Sequence, residues 1–269
     1  MLCEQMFGWC ARVIPVGVGL GGWIMDNAPM TETAETFIDL NADLGEHPDA
    51  DGIARDIQML AQISSASIAC GGHAGDARSM ARVSAAARAL DVRIGAHVGY
   101  ADAQNFGRKE LNLGAAEIGK QVQSQLHALL AHAKPDYLKP HGALYHRVMR
   151  DAAAAEAVLD AVADCGLALP VLGLRDSAFF RSAASRDWRT VSEGFADRGY
   201  DDDGQLLPRD QPGAVLTDVE QMSVHALRLI RSGQVRSLCL HGDTPGALQA
   251  AQALRQRLMA EGVQIRSFV

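Results

Sequence analysis

The sequence predicts an α/β protein, a (β/α) TIM-like barrel of seven or eight parallel strands, and three observations carry that reading. Short apolar runs alternate with stretches of helical periodicity, the pattern of parallel strands joined by helical crossovers. The alternation fills about 230 residues, the length of one closed barrel rather than of two doubly wound halves. Side chains able to do chemistry fall just past the apolar runs, at the carboxyl ends where barrel folds gather their sites.

Taken in order, residues 1–36 stand apart as a disordered or over-called N-terminal extension, and residues 37–269 form the single barrel domain. The apolar, glycine-rich run from Val13 to Met25 is shorter than the roughly 20 residues a membrane helix needs. Glu4 and a lone Arg12 do not make the basic start of a signal peptide. Strands are expected near residues 37–40, 67–69, 93–96, 137–139, 170–172, 190–193 and 238–240, with a last one within 263–268. Helices are expected over 77–90, 117–131, 152–163, 218–230 and 247–259. The first of these places Met80, Val83, Ala87 and Leu90 on one face and has Asp76 where an N-cap acceptor belongs.

Composition narrows the function. Lys and Arg total 25 against 32 Asp and Glu, a net charge of -7, which leaves no basic footprint for a nucleic-acid partner. Five cysteines without CxxC spacing suggest neither a disulfide framework nor a zinc ribbon, and fit reduced thiols in a cytoplasm. No GxxxxGK[ST] occurs, and the run Gly17-Val-Gly19-Leu-Gly21-Gly22 follows no strand, so no phosphate-cradling loop is visible.

The candidate site is the set of polar residues after the strands: Asn41 and Asp43, His73, His97, Lys139 and His141, and His241 with Asp243. Four of nine histidines sit at such positions, which argues for a shared pocket over four separate structural roles. Asp43 can serve as general base or metal ligand, and the histidines can ligate, shuttle protons or donate to an oxyanion. Without an HExxH, a divalent metal stays an open question, with Asp43, His73 and His97 as its candidate ligands. Lys139 either neutralises a substrate anion or forms an ion pair inside the barrel mouth. Cys70 reads as a small buried core residue rather than a nucleophile. Two long loops carry Arg108 and Arg198, which can grip a carboxylate bidentately.

Seven of these segments, in order, resemble the LamB/YcsF family, that of the A subunits of 5-oxoprolinase. They are Ile38-Asp-Leu-Asn-Ala-Asp-Leu-Gly-Glu46, Ile68-Ala-Cys-Gly-Gly-His-Ala-Gly-Asp76, Ile94-Gly-Ala-His97, Asn105-Phe-Gly-Arg108, Lys139-Pro-His-Gly142, Phe195-Ala-Asp-Arg-Gly-Tyr200 and Cys239-Leu-His-Gly-Asp243. The resemblance implies a barrel related to the metal-dependent polysaccharide deacetylases. It also implies a hydrolase acting on a cyclic amide, the ATP-dependent opening of 5-oxo-L-proline (pyroglutamate) to L-glutamate. Two partner subunits would complete the complex, and ATP would be used mainly at those partners.

Under that resemblance the catalytic set is Asp43 as base with His73, His97 and His141, while Asn41, Lys139, Arg108, Arg198 and His241 bind substrate. The chain departs from the family pattern at Ser67, Gly72, Val98 and Gly194, where Asn, an aromatic residue, Pro and Val are usual. Glycine at position 72 is expected to widen the pocket beside His73. Two alternatives accompany the assignment: a stand-alone metal-dependent deacetylase or amidohydrolase, and a non-catalytic lactam-binding subunit.

Overall fold

The computed structural model describes residues 36–201, 206–207, 211–242 and 246–269. The expected N-terminal extension up to residue 35, its glycine run, Cys3, Cys10, Asp202, Asp203 and Asp243 lie outside the described residues.

Eight strands and eight helices alternate almost strictly among the described residues: β1 (Phe37–Leu44), α1 (Ala50–Leu60), β2 (Ser65–Ala69), α2 (Ala77–Ala89), β3 (Arg93–Val98), α3 (Ala115–Leu130), β4 (Tyr137–Pro140), α4 (Gly142–Arg150), α5 (Ala152–Asp164), β5 (Val171–Gly173), α6 (Ala178–Ala184), β6 (Thr190–Phe195), α7 (Val219–Arg231), β7 (Ser237–His241), α8 (Ala247–Ala260) and β8 (Gln264–Ile265). Strands β1 to β7 pair parallel in chain order, and β7 returns to β1 to close a seven-stranded barrel. The eighth strand does not enter the ring in full. It pairs parallel with only Phe37 and Ile38 at the start of β1.

Two expectations are corrected. The first strand runs on to Leu44, so Asn41 and Asp43 lie on β1 rather than after it. Helices α1, α4 and α6 were not anticipated: α4 begins directly after His141, α6 has 7 residues, and α1 buries the polar Asp56 among its apolar residues. The expected cap of α2 is present as a full capping box, in which Asp76 accepts from the Ser79 N–H and the Ser79 hydroxyl accepts from the Asp76 N–H.

The period of two along β1 explains the barrel's unusual filling. Ile38, Leu40, Ala42 and Leu44 join the main apolar core, whereas Asp39, Asn41 and Asp43 meet side chains of the other strands. At the lower level, the buried Asp39 carboxylate accepts hydroxyl hydrogen bonds from Ser64 (2.7 Å), Ser65 (2.6 Å) and Ser237. Burial pushes its pKa up to about 6 against the pull of those hydroxyls. Beside this layer, Phe268 packs edge-on to Tyr137 with ring centroids 5.2 Å apart, in a cluster with Leu172 and Val191. One level up, Asn41 donates to Ser237 Oγ (2.8 Å) and Glu193 Oε1 (3.0 Å), and Ser67 shares a hydrogen bond with the Tyr137 hydroxyl. The polar interior thus rises layer by layer toward the carboxyl ends of the strands, where the site lies.

No helix of the described residues is long and apolar enough to cross a membrane.

Candidate active site

Lys139, projecting from β4, is 2 % exposed and is surrounded by acceptors. Its Nζ lies 2.8 Å from Asp43 Oδ1, 2.9 Å from Glu193 Oε1, 3.0 Å from Asn41 Oδ1 and 3.0 Å from Cys239 Sγ. A buried ammonium must find such partners, because an unpaired charge away from water is very costly. Burial alone would lower its pKa, yet the Asp43 and Glu193 carboxylates hold it well above the ordinary lysine value. The ion-pair alternative for Lys139 is therefore the arrangement found, and Asn41 serves as its support from below.

Asp43 stands at the centre of the strand ends. Its Oδ1 accepts from Lys139, and its Oδ2 lies 3.4 Å from His97 Nε2. Burial favours the protonated acid, but the interactions with His97 and Lys139 outweigh it and keep the carboxyl well below its usual range.

Three histidines gather beside it. His97 on β3 uses Nδ1 to donate to the Lys139 carbonyl (3.0 Å), and its Nε2 lies 2.9 Å from His141 Nδ1. His141, at the end of β4, donates from Nε2 to the Phe106 carbonyl (3.0 Å). His73 stacks flat on His141 with ring centroids 3.7 Å apart, and its Nε2 lies 3.2 Å from Glu46 Oε1. Burial first, then the neighbouring imidazoles, pushes His141 well below the ordinary histidine pKa, and burial likewise lowers His73. Glu46, His73, His97 and His141 each offer one ligand atom, all within 4.8 Å of one another.

Loop backbone builds the wall around this cluster. Phe106 adopts a left-handed conformation (φ 53°), which turns its carbonyl to His141. Gly107 follows at φ 62° against His73, and a Cβ there would sit 2.7 Å from His73 Cβ, so only glycine lets the loop approach so closely. The expected widening beside His73 does not occur. An added Cβ at Gly72 would lie 2.3 Å from Gln125 Oε1, because the Gln125 amide of α3 fills that space. There it accepts from the Gly99 N–H (3.0 Å) and donates to the Gly99 carbonyl (2.7 Å).

A cavity of about 520 Å³ opens over the cluster and is lined by Asp43, His97, His141, Arg108, Arg198 and His241, among others. Arg108 is exposed and lies over the Phe106 ring, 4.8 Å from its centroid. Arg198 borders the cavity while donating from Nε to the Ala214 carbonyl (2.9 Å) and from Nη2 to that of Leu207. His241 at the end of β7 holds Asp197 through Nδ1 (2.8 Å) and stacks on Phe195.

The fold thus brings Asp43, His73, His97, Lys139, His141 and His241 to one end of the barrel. Asn41 lies below them and is fully buried. Sequence reasoning missed Glu46, Glu193 and Phe106. Glu46 had a signal in the Asp43-Leu-Gly-Glu46 segment, since Gly45 (φ 76°) turns the chain back and buried Asp56 fixes that turn through the Gly45 N–H (2.7 Å). Cys70 is buried, donates to the Ile68 carbonyl and is pushed by burial up to about 12, as befits a core thiol.

The chain is a closed parallel barrel with a histidine and carboxylate cluster at the carboxyl ends of its strands, where barrel folds place their sites. The sequence pattern of the LamB/YcsF family matches residues 38–269, and the chain belongs to that family. It is 44% identical over 248 residues to a protein from Mycobacterium avium (strain 104) named as the A subunit of 5-oxoprolinase, covering 86% of this chain and 98% of the relative. A protein of the same name from Streptomyces avermitilis is 43% identical over 249 residues, with 86% and 100% covered. Among solved structures, the lactam utilization protein from Thermus thermophilus superposes with a TM-score of 0.79 at 34% identity, covering 86% of this chain and 100% of that one. A family 4 carbohydrate esterase from Streptomyces lividans shares the fold alone, with a TM-score of 0.50 at 11% identity over 87% of this chain and 93% of its own.

Proposed function

We propose that this chain is the lactam-hydrolysing subunit of an ATP-dependent 5-oxoprolinase, which opens 5-oxo-L-proline to L-glutamate together with two partner subunits. The observation that carries the reading is Asp43, held by Lys139 beside the His97–His141 pair, in the lining of a cavity bordered by Arg108 and Arg198. The names of the relatives from Mycobacterium avium and Streptomyces avermitilis support it.

Asp43 accepts the proton of a water that adds to the lactam carbonyl carbon. As the ring C–N bond breaks, the same proton passes to the leaving nitrogen, which frees the amine. His97 and His141 orient the water, and Arg108 with Arg198 holds the substrate carboxylate. Lys139, which lines the same cavity, keeps Asp43 charged and in place. The same pairing makes Asp43 a weak base, poorly matched to a stable five-membered amide. A carbonyl activated beforehand by phosphorylation, with ATP used at the partner subunits, suits it: C–N cleavage then leaves an acyl phosphate, which a second water hydrolyses to the carboxylate and inorganic phosphate.

The test is glutamate release from 5-oxoproline, with and without ATP, by the chain alone and mixed with its two partners. Release only in the complete ATP-containing mixture is expected, and Asp43→Asn should lower the turnover about 10²-fold or more. Hydrolysis of other amides by the chain alone without ATP would replace this reading with a stand-alone amidohydrolase.

A further inference from the structure

Hydrogen bonding fixes the tautomers of two histidines, and the result is an electrostatic conflict. His97 donates from Nδ1 to the Lys139 carbonyl, so in its neutral form Nε2 carries a lone pair. His141 donates from Nε2 to the Phe106 carbonyl, so in its neutral form Nδ1 carries a lone pair. These two lone pairs point at each other across 2.9 Å. Two acceptors at that distance repel unless a positive charge lies between them.

The surroundings supply further electron pairs. Glu46 Oε1 is 3.8 Å from His141 Nδ1 and 3.2 Å from His73 Nε2, and Asp43 Oδ2 is 3.4 Å from His97 Nε2. Among the described residues the buried His73 Nδ1 has no hydrogen-bond partner, while its Nε2 faces Glu46. His97 and His141, whose outer nitrogens are tied to backbone carbonyls and whose inner nitrogens lie together beside His73 and Glu46, are oriented as metal ligands are.

We infer that Glu46, His73, His97 and His141 form a divalent-cation site, and that zinc is the ion their three imidazoles and one carboxylate suit. Ligands of this type around one tetrahedral zinc stand about 3.4 Å apart, so the 2.9 Å His97–His141 separation needs only a small opening to admit the ion. Asp43 borders the site, with its Oδ1 held by Lys139 and its Oδ2 3.4 Å from His97 Nε2, and groups instead with Cys239 and His241. This set replaces the sequence-based trio of Asp43, His73 and His97 by exchanging Asp43 for Glu46 and adding His141. A cation there supplies Lewis-acid polarisation beside Asp43. Zinc binding by these four residues is independent of which amide the protein hydrolyses.

The decisive experiment strips the full chain with a chelator, then measures zinc uptake by titration calorimetry and by metal content after gel filtration. One zinc per chain is expected. Glu46→Gln and His141→Asn should each weaken zinc binding about 10²-fold or more, beyond the effect of losing an outer partner. His241→Asn should keep full uptake, since His241 belongs to the separate Asp43, Cys239 and His241 group. Cobalt in place of zinc should give the visible absorption of a tetrahedral site, lost in the same two variants. Melting curves of the zinc-free variants check that they fold, and wild-type stoichiometry decides if they do not. Absence of zinc uptake by the wild type, with a shared imidazolium proton seen by nuclear magnetic resonance, would overturn the inference. Uptake lost in His241→Asn but kept in Glu46→Gln and His141→Asn would overturn it equally.

Discussion

At the residue scale, a single ammonium balances two buried carboxylates. Lys139 Nζ is within 2.9 Å of both Asp43 and Glu193, and all three side chains are buried. Replacing Lys139 by Met preserves much of the stem but leaves two buried carboxyl groups without their shared cation. Lys139→Met is expected to cost about 3–5 kcal/mol of stability in denaturant titrations. Asp39 behaves oppositely, because no cation compensates its burial. Its folded pKa of about 6 exceeds the usual carboxylate value, so the folded chain binds the extra proton between about pH 4 and pH 6. Stability from this group is therefore complete below pH 4 and lost as pH rises through 6, a loss of about 3 kcal/mol at most. Asp39→Asn has no such titration, so its stability relative to wild type should rise by about that amount between pH 4 and pH 7.5, as read from urea melts. A mutant–wild-type difference independent of pH would refute the assignment. The strand-end histidines were legible because each follows an apolar run, whereas Glu193 was not, since barrel interiors are normally filled by apolar residues and nothing in the β6 pattern marks an inward acid as paired.

At the element scale, the legible helices were those with a sustained apolar stripe and a cap, such as α2 with Asp76. Helix α4 escaped because its chain leaves β4 and enters the helix within a single residue, His141, so that the motif masked the periodicity. Helix α3 reaches the site through one side chain, Gln125, which occupies the space beside Gly72 and ties down Gly99. A large residue at position 72 must expel that amide. Gly72→Phe is expected to destabilise the chain by about 1–3 kcal/mol, because it strands the Gly99 N–H and carbonyl away from their partner. Combining it with Gln125→Ala should recover part of the loss, giving a coupling of about 0.5 kcal/mol or more in a double-mutant cycle. Strict additivity would show that the two side chains do not compete for one space. The exchange was hidden from the sequence, where the two positions are far apart and no local pattern links them.

At the scale of the whole molecule, the barrel order followed from the alternation of elements, while closure by seven strands required the register of β7 on β1. The eighth segment adds only two residues to the sheet and then carries the C-terminus past Tyr137, where Phe268 packs against the aromatic ring. Sequence periodicity cannot distinguish a short strand that joins the ring from one that merely lies beside it.

That aromatic stopper beneath the layer of serines has a kinetic consequence. With the lower end of the barrel filled by Phe268, Tyr137 and the Asp39 layer, substrate and product both reach Asp43 from the carboxyl ends of the strands, where the cavity lies among the described residues. Under the proposed reaction, glutamate has to vacate the chamber before the next lactam enters. Glutamate should accordingly inhibit as a competitor of 5-oxoproline, raising KM and leaving kcat unchanged in initial-rate measurements. A falling kcat with constant KM would mean that glutamate binds elsewhere than in the place of 5-oxoproline.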